Sequence, residues 1–262
     1  MTRLVYPQLG TGALSQFPIR KSRRTRTVMN RAADGSTIKL ADPAGVVTEW
    51  SLTYADLSDQ EAGALQAFFE AAEGSLSAFT FLDPAGNLLA WSEQFDNDVW
   101  QRDPFLQVTA GVDDPRGGTG ASTIANSGGA GQTLAQTIAA PGGLQYCFSV
   151  YVRAASSTSV RLWAGSESRE FTVSLPWERL EMPAAPDADA TSLRCGIEVA
   201  GAASIQVYGM QAEAQPGASG YKPTSQGGVY EGAHLRDDSL AITKTGVNRH
   251  SCTVNIIHAK HL

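Results

Sequence analysis

The sequence predicts a mainly β protein with one α-helix, and three observations predict it. Glycine (26) and proline (12) are frequent and cluster between short apolar runs, a punctuation that suits many short strands. Such runs follow one another through residues 105–211 at fairly even spacing, separated by Gly/Pro/Asp/Ser clusters. Only the stretch from Ser58 to Gly74 repeats its apolar residues at helical spacing.

Residues 1–45 read as loop-rich and carry a basic run, Arg20, Lys21, Arg23, Arg24, Arg26 and Arg31. On a strand, Arg24, Arg26 and Val28 share one face and Thr25 and Thr27 the other. Two readings stay open: a solvated edge that positive charge protects from strand pairing, or an assembly arm for acidic neighbours. Asp34-Gly35 is a hairpin-type turn, and Asp42-Pro43-Ala44-Gly45 reads as a second turn.

Trp50, Leu52 and Tyr54 alternate with Glu49, Ser51 and Thr53, the period of a half-buried strand. Ser58-Asp-Gln-Glu61 then forms a capping box, in which the Ser58 hydroxyl accepts from the Glu61 amide while Glu61 reaches back. Ala62, Leu65, Phe68, Phe69 and Ala72 make one apolar stripe, and Gly74 suits the left-handed C′ position. A strand resumes over Leu76–Phe81, with Phe79 and Phe81 on one face, and Asp83-Pro84-Ala85-Gly86 closes the unit.

From Asn87 the pattern is strand after strand: Phe105–Val108, Gln132–Ile138, Tyr146–Val152, Ser159–Trp163, Glu170–Val173, Glu178–Met182, Ser192–Val199 and Ala203–Gln211. Such spacing predicts a two-sheet sandwich of jelly-roll type. Residues 223–228 resemble a linker, and Leu240–Lys244 and Cys252–Ile257 read as two further strands. Two strands need a sheet to join, either the sandwich or the first domain.

The net charge of −6 argues against generic nucleic-acid binding. No run reaches the ~18 apolar residues of a membrane span, and the first residues lack the features of a signal peptide. Cys147, Cys195 and Cys252 show no CxxC spacing and read as small buried hydrophobes in a reducing compartment. Assembly in the cytoplasm is the expectation that follows.

The run Trp50-Ser-Leu-Thr-Tyr54-Ala-Asp-Leu-Ser58-Asp-Gln-Glu61, with Phe68-Phe69-Glu-Ala-Ala-Glu-Gly74 and Phe79-Thr-Phe81-Leu-Asp83-Pro84, resembles the ring domain of distal-tail and minor tail proteins of long-tailed phages. That resemblance implies a small β-barrel or sandwich with one helix, closed by strands from after the aromatic strand. It also implies a homo-oligomeric ring, a hexamer or, where tail symmetry steps down, a trimer, joining tail tube and hub proteins at the virion tail tip.

Asn87-Leu-Leu-Ala-Trp91-Ser-Glu93-Gln-Phe95-Asp96-Asn97-Asp-Val-Trp100, Tyr146-Cys-Phe-Ser-Val-Tyr151-Val-Arg153, Trp177-Glu-Arg179 and the stretch Tyr208-Gly209-Met-Gln211-Ala-Glu213 through Gly217, Gly220, Tyr221, Pro223 and Thr224 are similar to carbohydrate-binding-module-like domains of phage tail proteins. The two resemblances together imply a ring domain of residues 1–86 and 223–262 with an inserted sandwich of residues 87–222.

Sugar recognition by a sandwich uses an aromatic face flanked by polar groups. Trp163, beside Gly165 at a strand end, is the first candidate, with Tyr151 and Tyr208 beside it. Trp100 and Trp177 are expected to be buried. A structural calcium would find oxygen ligands in Glu93, Asp96, Asp98 and Glu213. The four histidines, His234, His250, His258 and His261, lie near the C-terminus; His258-x-x-His261 needs one more acid or histidine for a closed metal site, and a frayed terminus explains that pair better.

No nucleophile elbow or protease cysteine appears. Glu167, Glu170, Glu178 and Glu181 read as a solvated sheet edge. The expected function is therefore structural and non-enzymatic: a tail-tip ring subunit whose outward module contacts host surface glycan. The alternative is a free-standing carbohydrate-binding or adhesion protein.

Overall fold

The computed structural model describes residues 4–259, which form two compact units. Residues 4–10, 14–81 and 230–259 make the first, and residues 11–13 and 82–229 the second. The fold is mainly β with one helix, and its sheets do not close into a barrel. No helix is long and apolar enough to cross a membrane.

The first unit is built on a long hairpin, β1 (Ile19–Arg31) and β2 (Thr37–Leu57), turning at Asp34-Gly35 where Gly35 has φ +85°. This corrects the expectation of a loop-rich start. Asp42-Pro43-Ala44-Gly45 does not turn the chain either. Pairing passes from Arg24↔Val47 to Arg26↔Asp42, so the extra residues bulge out of β2. The turn chemistry is satisfied inside the bulge: the Asp42 carboxylate accepts from the Ala44 amide and from Arg26.

The helix α1 (Asp59–Ala71) carries the complete capping box, with the Glu61 amide donating to Ser58 Oγ and the Ser58 amide to Glu61. Its end departs by one residue from expectation. Glu73 (φ 52°) already turns left-handed, followed by Gly74 (φ +65°), and the Glu73 and Gly74 amides donate to the Glu70 and Phe69 carbonyls. That is a Schellman closure, with glycine one place later than C′.

The chain continues through β3 (Phe79–Leu82) and returns after the second unit as β14 (Val229–Leu235), β15 (Ile242–Gly246) and β16 (Arg249–Ala259). The sheet order is β1-β2-β16-β14-β3, with β15 on β16. Trp50, Leu52 and Tyr54 point inward to meet Tyr6, Phe68 and Phe81. The Tyr6 and Tyr54 hydroxyls share a hydrogen bond of 2.9 Å, and Tyr54 donates onward to the Leu14 carbonyl.

The second unit is a sandwich of two five-stranded antiparallel sheets. One has the order β10 (Glu167–Val173), β9 (Thr158–Ala164), β12 (Leu193–Val199), β7 (Gln132–Ile138), β4 (Gln101–Arg102). The other has β11 (Glu178–Ala184), β8 (Tyr146–Arg153), β13 (Ser204–Glu213), β6 (Ala121–Asn126), β5 (Leu106–Val112). Phe148, Val150 and Val152 of β8 and Leu162, Ile197 and Val207 of its neighbours fill the space between. The three cysteines are buried and unpaired, and burial pushes the Cys147 thiol up to about 11.

Candidate functional site

The motifs that open and close the sandwich unit meet as a clasp. Asn87, wholly buried, donates to the Met210 carbonyl and accepts from the Leu89 and Ala212 amides. Ser92 bonds the Tyr221 hydroxyl at 2.7 Å and accepts from the Thr224 amide. The segment after β13 then folds back over that strand. Buried Glu213 accepts from the Ser219 amide and hydroxyl, from Lys222 Nζ and from Gln211. Most residues of the closing motif are thus spent on holding the strap in place.

Alternation along β8 directs Phe148, Val150 and Val152 to the core, and Ser149, Tyr151 and Arg153 to the opposite, outer face. The strap covers one end of that face, and Tyr151 and Arg153 lie at the more open end. Across the strand pair Arg179 of β11 stands opposite Tyr151, and Glu178 opposite Val152. Trp177 precedes β11 and comes level with Arg153.

Two cation–π contacts result. The Arg153 guanidinium lies 4.7 Å from the Trp177 ring centre, and that of Arg179 lies 5.4 Å from Tyr151. Arg153 Nε also donates to Gln206, and Arg179 donates to Ser149 Oγ. Tyr151, Arg153, Trp177 and Arg179 are all half-buried. Beside them Arg153, Thr123, Gln206 and Leu175 line a cavity of about 300 Å³.

Tyr208 lies on the same face, opposite Tyr151, at a ring separation of 6.0 Å. It is buried at 4 % exposure, because Tyr221 covers it edge-on at 5.3 Å. Burial first, then the neighbouring Glu93 carboxylate, push its phenol up to about 12. Arg116 stacks on Tyr221 at 5.0 Å and donates to its carbonyl. Tyr208 therefore supports the aromatic surface from below.

Trp163 belongs to β9, in the other sheet, so the structure does not bring it together with Tyr151 and Tyr208. Its indole N–H donates to Glu198 at 3.0 Å, and Arg161 lies over its ring. Trp100 is buried as expected. Trp177, expected to be buried too, is only half so: it precedes the edge strand β11, with Arg153 over its ring. Both aromatic-x-Arg motifs, Tyr151-x-Arg153 and Trp177-x-Arg179, are legible in the sequence. Their meeting depends on antiparallel pairing of β8 and β11, which spacing alone does not state.

The remaining candidates are dispersed. Glu93 sits by Tyr208 and Tyr221 and Glu213 is taken up by the strap, while Asp96 and Asp98 are exposed. Among the described residues no group of three or more His, Cys, Asp or Glu is placed to hold a metal ion. Glu167 and Glu170 lie on β10, and Glu178 and Glu181 on β11.

His258 corrects the reading of a frayed end. It lies within β16, half-buried, and its ring packs on Tyr230 at 5.1 Å. His250 bonds Asp59 at 2.6 Å and His234 bonds the Ser75 carbonyl. His261 lies outside the described residues.

The basic run lines β1. Arg24 reaches Glu49 at 3.9 Å, Arg26 pairs with Asp42, and Lys21 lies over Trp50 and Tyr230. Arg20, Arg23 and Arg31 join no ion pair among the described residues. Toward the turn both hairpin faces are exposed, and Val28, Met29, Ile38 and Leu40 stand in water.

No family model matches the chain, and no curated protein matches it. Solved structures similar to it include the enzymatically active domain of tailspike protein 4 from bacteriophage CBA120, at 14% identity and TM-score 0.39 over 48% of this chain and 21% of that one. Another holds the family 22 carbohydrate-binding and catalytic modules of a Clostridium thermocellum endo-1,4-β-D-xylanase, at 14% identity and TM-score 0.41 over 49% of this chain and 28% of that one. A third is the C-terminal family 22 module of the same organism's xylanase, at 16% identity and TM-score 0.42 over 53% of this chain and all (100%) of that one. The chain thus spans well under two thirds of the first two. These similarities identify no ligand for it.

Proposed function

We propose that the chain is a non-catalytic structural subunit of a phage or phage-derived tail tip, whose sandwich unit binds host cell-surface glycan. The observation that carries the glycan reading is the half-exposed row Trp177, Arg153, Tyr151 and Arg179 beside an open cavity. Aromatic faces stack on the C–H surface of a sugar ring, and flanking donors select its hydroxyls. Arg153, Gln206 and Thr123 supply such donors and acceptors.

The assembly role is supported by the hairpin and by the resemblance of residues 50–84 to tail ring domains. A hairpin that buries almost nothing of its outer half costs ordering entropy without a core of its own. Its basic residues suit acidic groups on a neighbour, and exposed Val28, Ile38 and Leu40 suit an apolar patch beside them. In a ring, many copies would let individually weak sugar contacts add through avidity.

A glycan array tests the glycan reading. The protein should bind a restricted set of surface polysaccharides, and Tyr151→Ala and Trp177→Ala should each weaken binding by about tenfold, the scale of one lost stacking contact. An array with no response, or variants that bind like wild type, would remove it.

A further inference from the structure

The two motifs Tyr151-x-Arg153 and Trp177-x-Arg179 place an arginine opposite an aromatic ring twice, because β8 and β11 run antiparallel. A single such contact is common; a reciprocal pair on one open patch concentrates two positive charges there. Among the described residues of this unit the ion pairs are Arg161–Glu170 and Lys222–Glu213, and neither Arg153 nor Arg179 joins one. Arg179 even holds its buried Nε without a hydrogen-bond partner. Stacking occupies the flat side of each guanidinium; Arg153 Nε is taken by Gln206 and one terminal N–H of Arg179 by Ser149, which leaves the remaining terminal N–H groups for an acceptor.

The unit around this pair is acidic. Residues 82–229 carry 15 Asp and Glu against 8 Lys and Arg. Carboxylates do border the patch: Glu178 and Glu181 lie on β11, Glu93 and Asp114 lie by Tyr208, and Glu213 is neutralised by Lys222. Two arginines held on rings at one spot, unpaired within an acidic unit, suit a ligand that brings its own carboxylates.

We infer that this face selects acidic glycans, with Arg153 and Arg179 donating to the carboxylates of uronic-acid residues while Tyr151 and Trp177 stack on the sugar rings. The selection rests on the glycan-binding reading of the same face. Each arginine can offer two parallel N–H donors to a carboxylate, a geometry that Lys cannot reproduce.

The test compares polygalacturonate with its carboxyl-reduced form, using the full chain in affinity electrophoresis and calorimetry. The chain should bind the acidic polymer at least about tenfold more tightly than the reduced one. Arg153→Gln and Arg179→Gln should each lose that preference, and Arg153→Lys should recover little of it. Unchanged thermal midpoints would show that the variants fold. Equal binding to both polymers would overturn the acidic selection and leave the glycan reading standing. Binding to neither polymer, with neutral glycans bound on the array, would also overturn it. A blank array as well would remove the glycan reading beneath it.

Discussion

At the scale of single residues, Asn87 illustrates why a motif can be legible while its purpose is not. The sequence places it at the head of an opening motif, and the structure gives it three buried backbone partners on both sides of the clasp. Asn87→Ala should cost about 2 kcal/mol or more, since those groups stay buried and lose their partner; chemical denaturation measures it. Trp163 was reachable from sequence as an aromatic near a strand end, but alternation does not tell which sheet a strand joins. Trp177 reads as buried from the sequence because tryptophans usually are, and only pairing with β8 sets its ring against Arg153. His258 carries a pH effect. Burial, then nearby His234, lower its pKa, so the unfolded chain binds that proton more readily. Its contribution is complete above the ordinary imidazole value near 6.5 and is lost as pH falls from there through the lower folded value. The thermal midpoint should drop more steeply from pH 7.5 to 5.5 in wild type than in His258→Gln; equal slopes would contradict the assignment.

At the scale of elements, the helix was the most legible part, because its start is written in local chemistry. Ser58 and Glu61 exchange the bonds that a capping box requires, and Ser58→Ala should cost about 1 kcal/mol in thermal or denaturant unfolding. The sequence places the helix end one residue late, since Glu73 adopts a left-handed conformation usually left to glycine. Strand β13 bends at Gly209, φ +65°, where an added Cβ would come within 2.9 Å of the Tyr221 ring. Gly209→Ala should therefore destabilise the unit by about 1–2 kcal/mol and expose Tyr208 to solvent, read as increased tyrosine quenching. The hairpin was the least legible element. Asp-Pro-Ala-Gly normally reverses a chain, and here the long-range pairing of β1 with β2 absorbs it as a bulge. Strands β14 and β6 are not legible in the sequence because neither shows a clean apolar alternation.

At the scale of the whole molecule, mainly β architecture with one helix was legible from punctuation and period, and the sandwich sheets follow the predicted strand series closely. Sequence left open which sheet takes the last strands; β16 lies against β2, from Ile256↔Trp50 to Cys252↔Tyr54. Assembly is a property of many copies and calls for a test at that level. If the hairpin joins subunits, Val28→Asp with Leu40→Asp should lower the assembled fraction in sedimentation and leave glycan binding by the single chain unchanged. The central claim, a glycan face on the β8–β11 side of the sandwich, has a more direct test. The chain has 5 tryptophans, and their indole N–H signals, assigned by Trp→Phe variants, report on each position during titration with an array-selected glycan. The Trp177 signal should shift with saturation while that of Trp163, in the opposite sheet, stays in place. Movement of Trp163 with Trp177 unchanged would put the site on the other face and contradict the account.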